Sequence, residues 1–350
     1  MNGNLQYLYI AVCMLSLTTA NGQIGGTGIM KFVDLPPSSR SASLGGNAIS
    51  IKDDDVTLAI QNPSLLNQSM DNHFAISYID YLAGSNIGSI VYAHAYDSIN
   101  TGMIGMQYIN YGTFTEADVN GNITGTFTAE EYNFFAGYSR QWHDFSYGGQ
   151  LKLLYSDLYI ATSYAAEVDL SGTYKKKGFT AAVVFRNIGY QITPYSDVRE
   201  PMPFEIQAGV SEKPEHMPIR FSVILVHLET PNMTYINTNA PQTIDLATGQ
   251  PIVQNITFGD EVFRHFIFGA EILVSKNFNI RVGYNVERRQ ELSIPTDMGL
   301  VGYSVGMGIR VNRFHISYGL AGYSLAGASN TFTITTNFSD FKQKKNPVDY

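Results

Sequence analysis

The chain has 350 residues, 44% hydrophobic, 13% aromatic and only 15% charged, with a formal net charge of −8. That charge argues against a nucleic-acid partner, which needs a positive field, and a mean hydropathy of −0.06 argues against a bundle of membrane helices. Few charges together with 23 Tyr, 20 Phe and 32 Gly suit strands lying between two unlike environments.

At the start, Leu8–Leu17 is an apolar run shorter than the roughly 20 residues that a membrane helix needs. Ala20-Asn21-Gly22 follows with the small residues of a signal-peptidase site. Residues 1–22 are expected to be a cleaved signal peptide, with Gln23 as the mature start, although Met1–Tyr7 lacks the usual Lys or Arg. The single cysteine, Cys13, falls inside it, so the mature chain is expected to have no thiol for a disulfide or a metal. Val12 before that cysteine and the apolar run after it argue against a lipoprotein site.

Residues 23–72 show no strand alternation. Leu35-Pro36-Pro37 reads as a rigid turn. Ser38–Gly46, small and polar, reads as a short helix ended by Gly45 or Gly46. Asp53-Asp54-Asp55 opens a helix over Val56–Ile60, where carboxylates meet the positive end of the helix dipole. Asn62-Pro63-Ser64 ends it. The three aspartates suit a calcium ion as well as a helix cap; no regular calcium loop follows, which favours the cap. The segment is expected to form a plug inside or under a barrel; a periplasmic extension is the alternative.

From residue 73 to 338 the side chains alternate in period two over runs long enough to cross a membrane as tilted strands. The clearest is Phe278–Glu287, where Phe278, Ile280, Val282, Tyr284 and Val286 oppose Asn279, Arg281, Gly283, Asn285 and Glu287. The pattern gives a transmembrane antiparallel β-barrel of about 14 strands, an all-β fold. The strands are expected near 73–81, 86–96, 102–111, 131–141, 145–155, 162–174, 179–187, 204–212, 218–227, 264–274, 278–288, 300–311, 313–320 and 331–338, with 339–350 as a tail. Alternate connections are short, as periplasmic turns are. The others are mostly long and face outward: 112–130, 156–161, 188–203, 228–263, 289–299 and 321–330. Only Leu82–Ser85 breaks that order.

No catalytic motif stands out. Seven His are scattered singly, with no His-Glu-x-x-His spacing and no Gly-x-Ser-x-Gly elbow. His94, His227 and His315 fall within expected strands and read as lumen or interface residues. Lys152, Glu205, Glu271, Arg281, Glu287 and Arg310 are expected in the lumen, as ion pairs or as a transport path. Asp118-Val119-Asn120-Gly121-Asn122 reads as an Asn-Gly hairpin turn. No cofactor or metal is implied.

The block Phe32–Arg40 with Leu44-Gly45-Gly46, then Asp53-Asp54-Asp55, Leu58-Ala59 and Gln61–Asn67, resembles the PorQ family of the type IX secretion system of Bacteroidota. The resemblance continues through Gln107–Gly112, Gly137–Arg140, Phe185–Gly189 and Pro203–Gln207. Its most specific part is the Arg40–Asn67 block, and its family-motif plug residues are Leu35, Pro36, Ser39, Arg40, Leu44, Gly45, Gly46, Asp53, Asp54, Asp55, Asn62 and Pro63. It implies a barrel similar to the long-chain fatty-acid transporter fold, set in the outer membrane of a Gram-negative cell. It also implies a non-enzymatic place in a cell-surface attachment complex, beside a sortase-like enzyme and a lipopolysaccharide-delivering partner. Outer-membrane lipid is the other expected partner.

The outer loop 228–263 is far longer than hairpin closure requires. Asn232, Tyr235, Ile236, Ile252, Ile256 and Phe258 are its candidate docking residues. The rival expectation is a transporter of small hydrophobic molecules through the barrel.

Overall fold

The computed structural model describes residues 28–233, 257–292, 299–324 and 327–342. Its strands are β1 His73–Asp80, β2 Asn86–Ala95, β3 Asn100–Ala117, β4 Ile123–Trp142, β5 Phe145–Leu158, β6 Ala161–Lys176 and β7 Phe179–Thr193. They continue as β8 Glu205–Glu212, β9 Ile219–Leu225, β10 Phe266–Ile272, β11 Phe278–Asn285, β12 Tyr303–Val311, β13 Phe314–Ser324 and β14 Gly327–Asn337. Each strand pairs antiparallel with its sequence neighbours, and β1 pairs with β14 to close the barrel. Closure is what a sheet in lipid requires, because an open edge would leave N–H and C=O groups without partners.

The two faces of the wall follow the sequence period. On β6, Ser163, Ala165, Glu167, Asp169, Ser171 and Thr173 are buried toward the inside, while Tyr164, Val168 and Leu170 are exposed outside. Aromatic rings mark both edges of the apolar band. Tyr318, Phe332 and Tyr78 sit in register across β13, β14 and β1, and Tyr108, Tyr132, Tyr155 and Tyr164 do so across β3 to β6. At the other edge stand Phe74 and Tyr92 around Phe338, and Phe145 with Tyr174 and Phe179. On β5, Phe145 and Tyr155 lie ten residues apart. At about 3.3 Å per residue and a tilt of about 40° this spans roughly 25 Å, the height of an outer-membrane apolar band.

At the edge expected to be periplasmic, two-residue turns His143-Asp144, Lys177-Gly178 and Asn312-Arg313 join strands. Their first residues take φ of 55°, 54° and 55°, the left-handed conformation that matches hairpin twist.

The opposite edge departs from expectation in several places. β3 and β4 run on into 112–130, leaving a tight turn at Asp118–Gly121 instead of a long loop. One extra residue in β3 between Asn110 and Thr113 bulges the strand, and pairing then resumes with Thr113 opposite Thr128 and Phe114 opposite Phe127. β7 likewise extends to Thr193, and β13 and β14 reach into 321–330. β9 stops at Leu225, so His227 lies beyond the strand with φ 54°. β11 stops at Asn285, and a helix over Val286–Leu292 (α3 below) replaces the rest of that run, taking Glu287 off the sheet. The cause is local: Glu287–Leu292 are good helix formers, and Asn285 Oδ1 accepts from the Arg288 N–H at 2.9 Å.

Ahead of β1, Lys31–Asp34 is a 3-10 turn and Ser39–Ser43 a short helix, α1, whose N-cap is Ser38. Val56–Ile60 is a 3-10 helix capped by the Asp55 side chain, and Asn62 caps the turn that follows, with Pro63 in first position. The described helices that follow the strands of the second half are α2 Phe258–Arg264, α3 Val286–Leu292 and α4 Ser339–Lys342.

Hydrogen bonds tie residues 33–64 to every strand from β4 to β12. Among the barrel partners are Gln141, Ser146, Thr173 and Arg186. Ser211, Arg220, Glu271, Asn285 and Ser304 continue the set. Thr333 of β14 and Ser89 of β2 bond the same segment. A segment that reaches strands all around a closed wall lies within it.

Three glycines let α1 touch the sheet. A Cβ on Gly283 would stand 2.3 Å from the Gly45 nitrogen, one on Gly306 2.5 Å from Ser43 Cβ, and one on Gly319 2.6 Å from the Ser39 carbonyl oxygen. Gly306 and Gly319 face each other across β12 and β13. Gly283→Val therefore pushes α1 off the wall, at a cost of about 1–3 kcal/mol from overpacking. Limited trypsin digestion at Arg40 reads this out: cleavage is expected in the variant, with the barrel itself still intact on a heat-modifiability gel.

Candidate functional site

Arg40 is the hub of the inner segment. Its Nε donates to Glu271 Oε1 at 2.8 Å and its Nη2 to Asp53 Oδ2 at 2.7 Å, while Nη1 reaches Asp55 Oδ2 at 3.2 Å. Arg220 from β9 bridges the same acids, at 3.0 Å to Asp53 and 2.6 Å to Glu271. Arg281 adds a third guanidinium at 3.1 Å from Glu271. Arg310 pairs with Asp54 nearer solvent, at 3.2 Å. Burial alone would raise the Asp53 carboxyl, but Arg40 and Arg220 hold it well below the usual carboxylate range. The aspartate run thus does two jobs, capping a 3-10 helix through Asp55 and pairing arginines of the segment and the wall. Among the described residues no cluster of His, Cys, Asp and Glu suits a metal ion.

The other motif residues serve the same seating. Ser39 N–H donates to Thr333 Oγ1 at 2.9 Å. Leu44 is buried, and Gly45 and Gly46 take φ of 92° and 109° to end α1. Gly45 N–H donates to Ser304 Oγ and its carbonyl accepts from Asn285. Asn62 Nδ2 donates to the Ile49 carbonyl at 2.7 Å, and Pro63 packs directly over Gly148 of β5. Leu35 packs on an apolar cluster containing Phe32, Val33 and Ile109, and Pro36 borders the cavity below the outer helices.

A second buried ion cluster lies further along the wall. Lys152 Nζ stands 2.8 Å from Asp169 and 3.6 Å from Glu167, and Arg186 lies 3.7 Å from Glu205. The expected lumen charges on strands thus pair within the barrel.

At the outer rim His227 is ringed by carboxylates, Glu229 at 3.1 Å, Glu287 at 3.6 Å and Glu205 at 3.8 Å. It joins the end of β9 to α3 and to β8. Burial by itself would lower this imidazole, but the hydrogen bond to Glu229 and the charges of Glu205 and Glu287 push it up to about 10. Burial drives Glu287 the other way from a normal carboxylate, up to about 7.

Beside this cluster, Leu225, Leu228, Pro231, Asn232, Phe258, Val262 and Phe266 line an apolar cavity of about 730 Å³. Phe258 is 86% exposed and Phe263 57%. Of the candidate docking residues, Asn232 and Phe258 meet here; Tyr235, Ile236, Ile252 and Ile256 lie outside the described residues, as does the expected signal peptide. Sequence reasoning missed α2 and α3 altogether. The Thr257–Asp260 capping box and the Glu-Arg-Arg-Gln-Glu run of 287–291 were the available signals.

No family model and no curated protein matches the chain at a significant level. Solved barrels do. The toluene transporter TbuX of Ralstonia pickettii superposes with a TM-score of 0.52 at 10% identity, covering 89% of this chain and 100% of that one. The toluene transporter TodX of Pseudomonas putida gives 0.51 at 10% identity, covering 87% and 99%. The chain shares the fold of these transporter barrels. At this identity the likeness is one of fold alone, that of a closed β-barrel.

Two outcomes follow from the charges. Arg40→Gln leaves Glu271 and Asp53 short of a partner in a buried site, a loss of about 3–5 kcal/mol. Hydrogen exchange of 39–66 should accelerate while that of the strands stays slow. At the rim, His227 has a raised folded-state pKa, so its contribution is full below about 6.5 and is lost as pH climbs through about 10. Protection of α3, corrected for intrinsic exchange rates, should fall across that window, and His227→Gln should flatten the profile.

Proposed function

We propose that the chain is a non-enzymatic outer-membrane docking barrel of the type IX secretion system, in the role its resemblance to PorQ implies. On this reading residues 28–72 act as a plug, and the outer rim holds surface partners of the attachment complex. The observation that carries it is a contrast of surfaces. The inner wall is polar, built of buried side chains such as Gln107, Asn133, Gln150, Lys152, Glu167 and Gln207, and is hydrogen-bonded to the segment it encloses. The outer rim instead presents Phe258 and Phe263 of α2 to solvent beside an apolar cavity. An exposed apolar patch next to a long loop is the surface that a protein partner covers. A wall of amides and ion pairs offers an apolar solute no favourable path.

The second reading is transport of small hydrophobic molecules, and the fold comparison favours it: both barrels named above are toluene transporters. The apolar cavity at the rim would then be a capture site. A pull-down from outer membrane in mild detergent separates the two. Docking predicts that type IX components copurify with the chain and are lost after Phe258→Ser with Phe263→Ser, or after deletion of 232–259, with the barrel retained. Toluene uptake that depends on the purified chain in liposomes, with no copurifying surface protein, would establish transport instead.

A further inference from the structure

The periplasmic mouth of the barrel holds a second cavity, of about 440 Å³, between the aspartate run and the turns that join β10 to β11 and β12 to β13. It is lined by six Arg and Lys side chains against five carboxylates. Two of these carboxylates, Glu271 and Asp53, are already committed to arginines. Glu271 alone faces three guanidinium groups, and Asp53 faces two.

Apart from the Asp340 carboxylate at the mouth and Asn279 Oδ1, the uncommitted capacity is donor. Arg281 is 1% exposed and spends Nε on Glu271, but its Nη1 has no hydrogen-bond partner. Asn279 Oδ1 is also buried without one; turned about, the same amide would present its NH₂. A Cβ on Gly308 would stand 2.8 Å from Asn279 Oδ1, 2.8 Å from His315 Nε2 and 3.0 Å from Arg281 Nη2, so these three polar ends converge where the glycine leaves room. Lys276 and Arg313 line the same cavity from the flanking turns, and neither forms an ion pair among the described residues. A buried guanidinium with an unused N–H is costly unless an acceptor supplies the missing bond.

We propose that this cavity is a periplasmic oxyanion site, taking one phosphate or carboxylate group between Arg281, His315, Lys276 and Arg313. Arg281 and His315 would donate hydrogen bonds from the wall, and Lys276 and Arg313 would supply the field that draws the anion in. The site is independent of the outer rim and of whatever docks there.

The test uses the full chain in detergent at low ionic strength. Inorganic phosphate and acetate are titrated separately by calorimetry, with sodium chloride at matched ionic strength as the control. Saturable binding of either oxyanion but not of chloride is expected, with affinity falling at least about tenfold in Lys276→Gln/Arg313→Gln, a pair of turn positions whose loss leaves the wall intact. Arg313→Lys alone should recover most of the affinity. Because Arg281→Gln can disturb the buried cluster, it is read only after heat-modifiable migration shows a closed barrel. Absence of saturable binding by both anions, or equal affinity in the double variant, overturns the proposal.

Discussion

A charged group taken out of water must find its counter-charge, and the inner segment is placed by that demand. Arg40 sits on a five-residue helix far too short to be stable alone. Its guanidinium is buried against Asp53 and Asp55 of its own segment and Glu271 of the wall. Arg220 and Arg281 close the network from β9 and β11. Shifting the segment by one residue would strand several charges at once. A buried network of this kind adds little net stability over apolar packing but penalises every other seating.

The glycines make that seating possible. Gly283, Gly306 and Gly319 remove side chains where α1 meets the sheet, so backbone lies directly on backbone. Hydrogen bonds from the segment then satisfy wall residues such as Ser304, Thr333 and Asn285, which would otherwise face an apolar or empty interior. The lumen of this barrel is accordingly a polar core, held as a folded domain holds its interior. The two ends differ in kind. The periplasmic mouth concentrates arginine, lysine and carboxylate, while the outer rim combines an ion cluster around His227 with exposed phenylalanines of α2.

Where sequence reasoning missed, it missed beyond the membrane. Inside the apolar band, lipid on one side and a polar interior on the other force strict alternation, so β1 to β14 were readable to within a few residues. Above the band that constraint vanishes. Thr113–Ala117 and Ile123–Thr128 looked like loop because a bulge shifts the period in β3, yet they pair as a tall hairpin. Val286–Arg288 looked like the end of a strand and 289–292 like loop because Val286 kept the alternation, although helix propensity and the Asn285 cap decided otherwise.

By itself the sequence determined the barrel, its strand number and the helix cap in the aspartate run ahead of Val56. Each of those rests on neighbours in the chain or on a two-residue period, and both are visible in one dimension. Only the tertiary structure decided that Arg40 reaches Glu271, 231 residues away, that His227 gathers Glu205 of β8 and Glu287 of α3, and that Lys276 and Arg313 border the same cavity as Arg281. Those meetings depend on how far the closed wall brings distant strands round to a common interior, and no local pattern of residues encodes that distance.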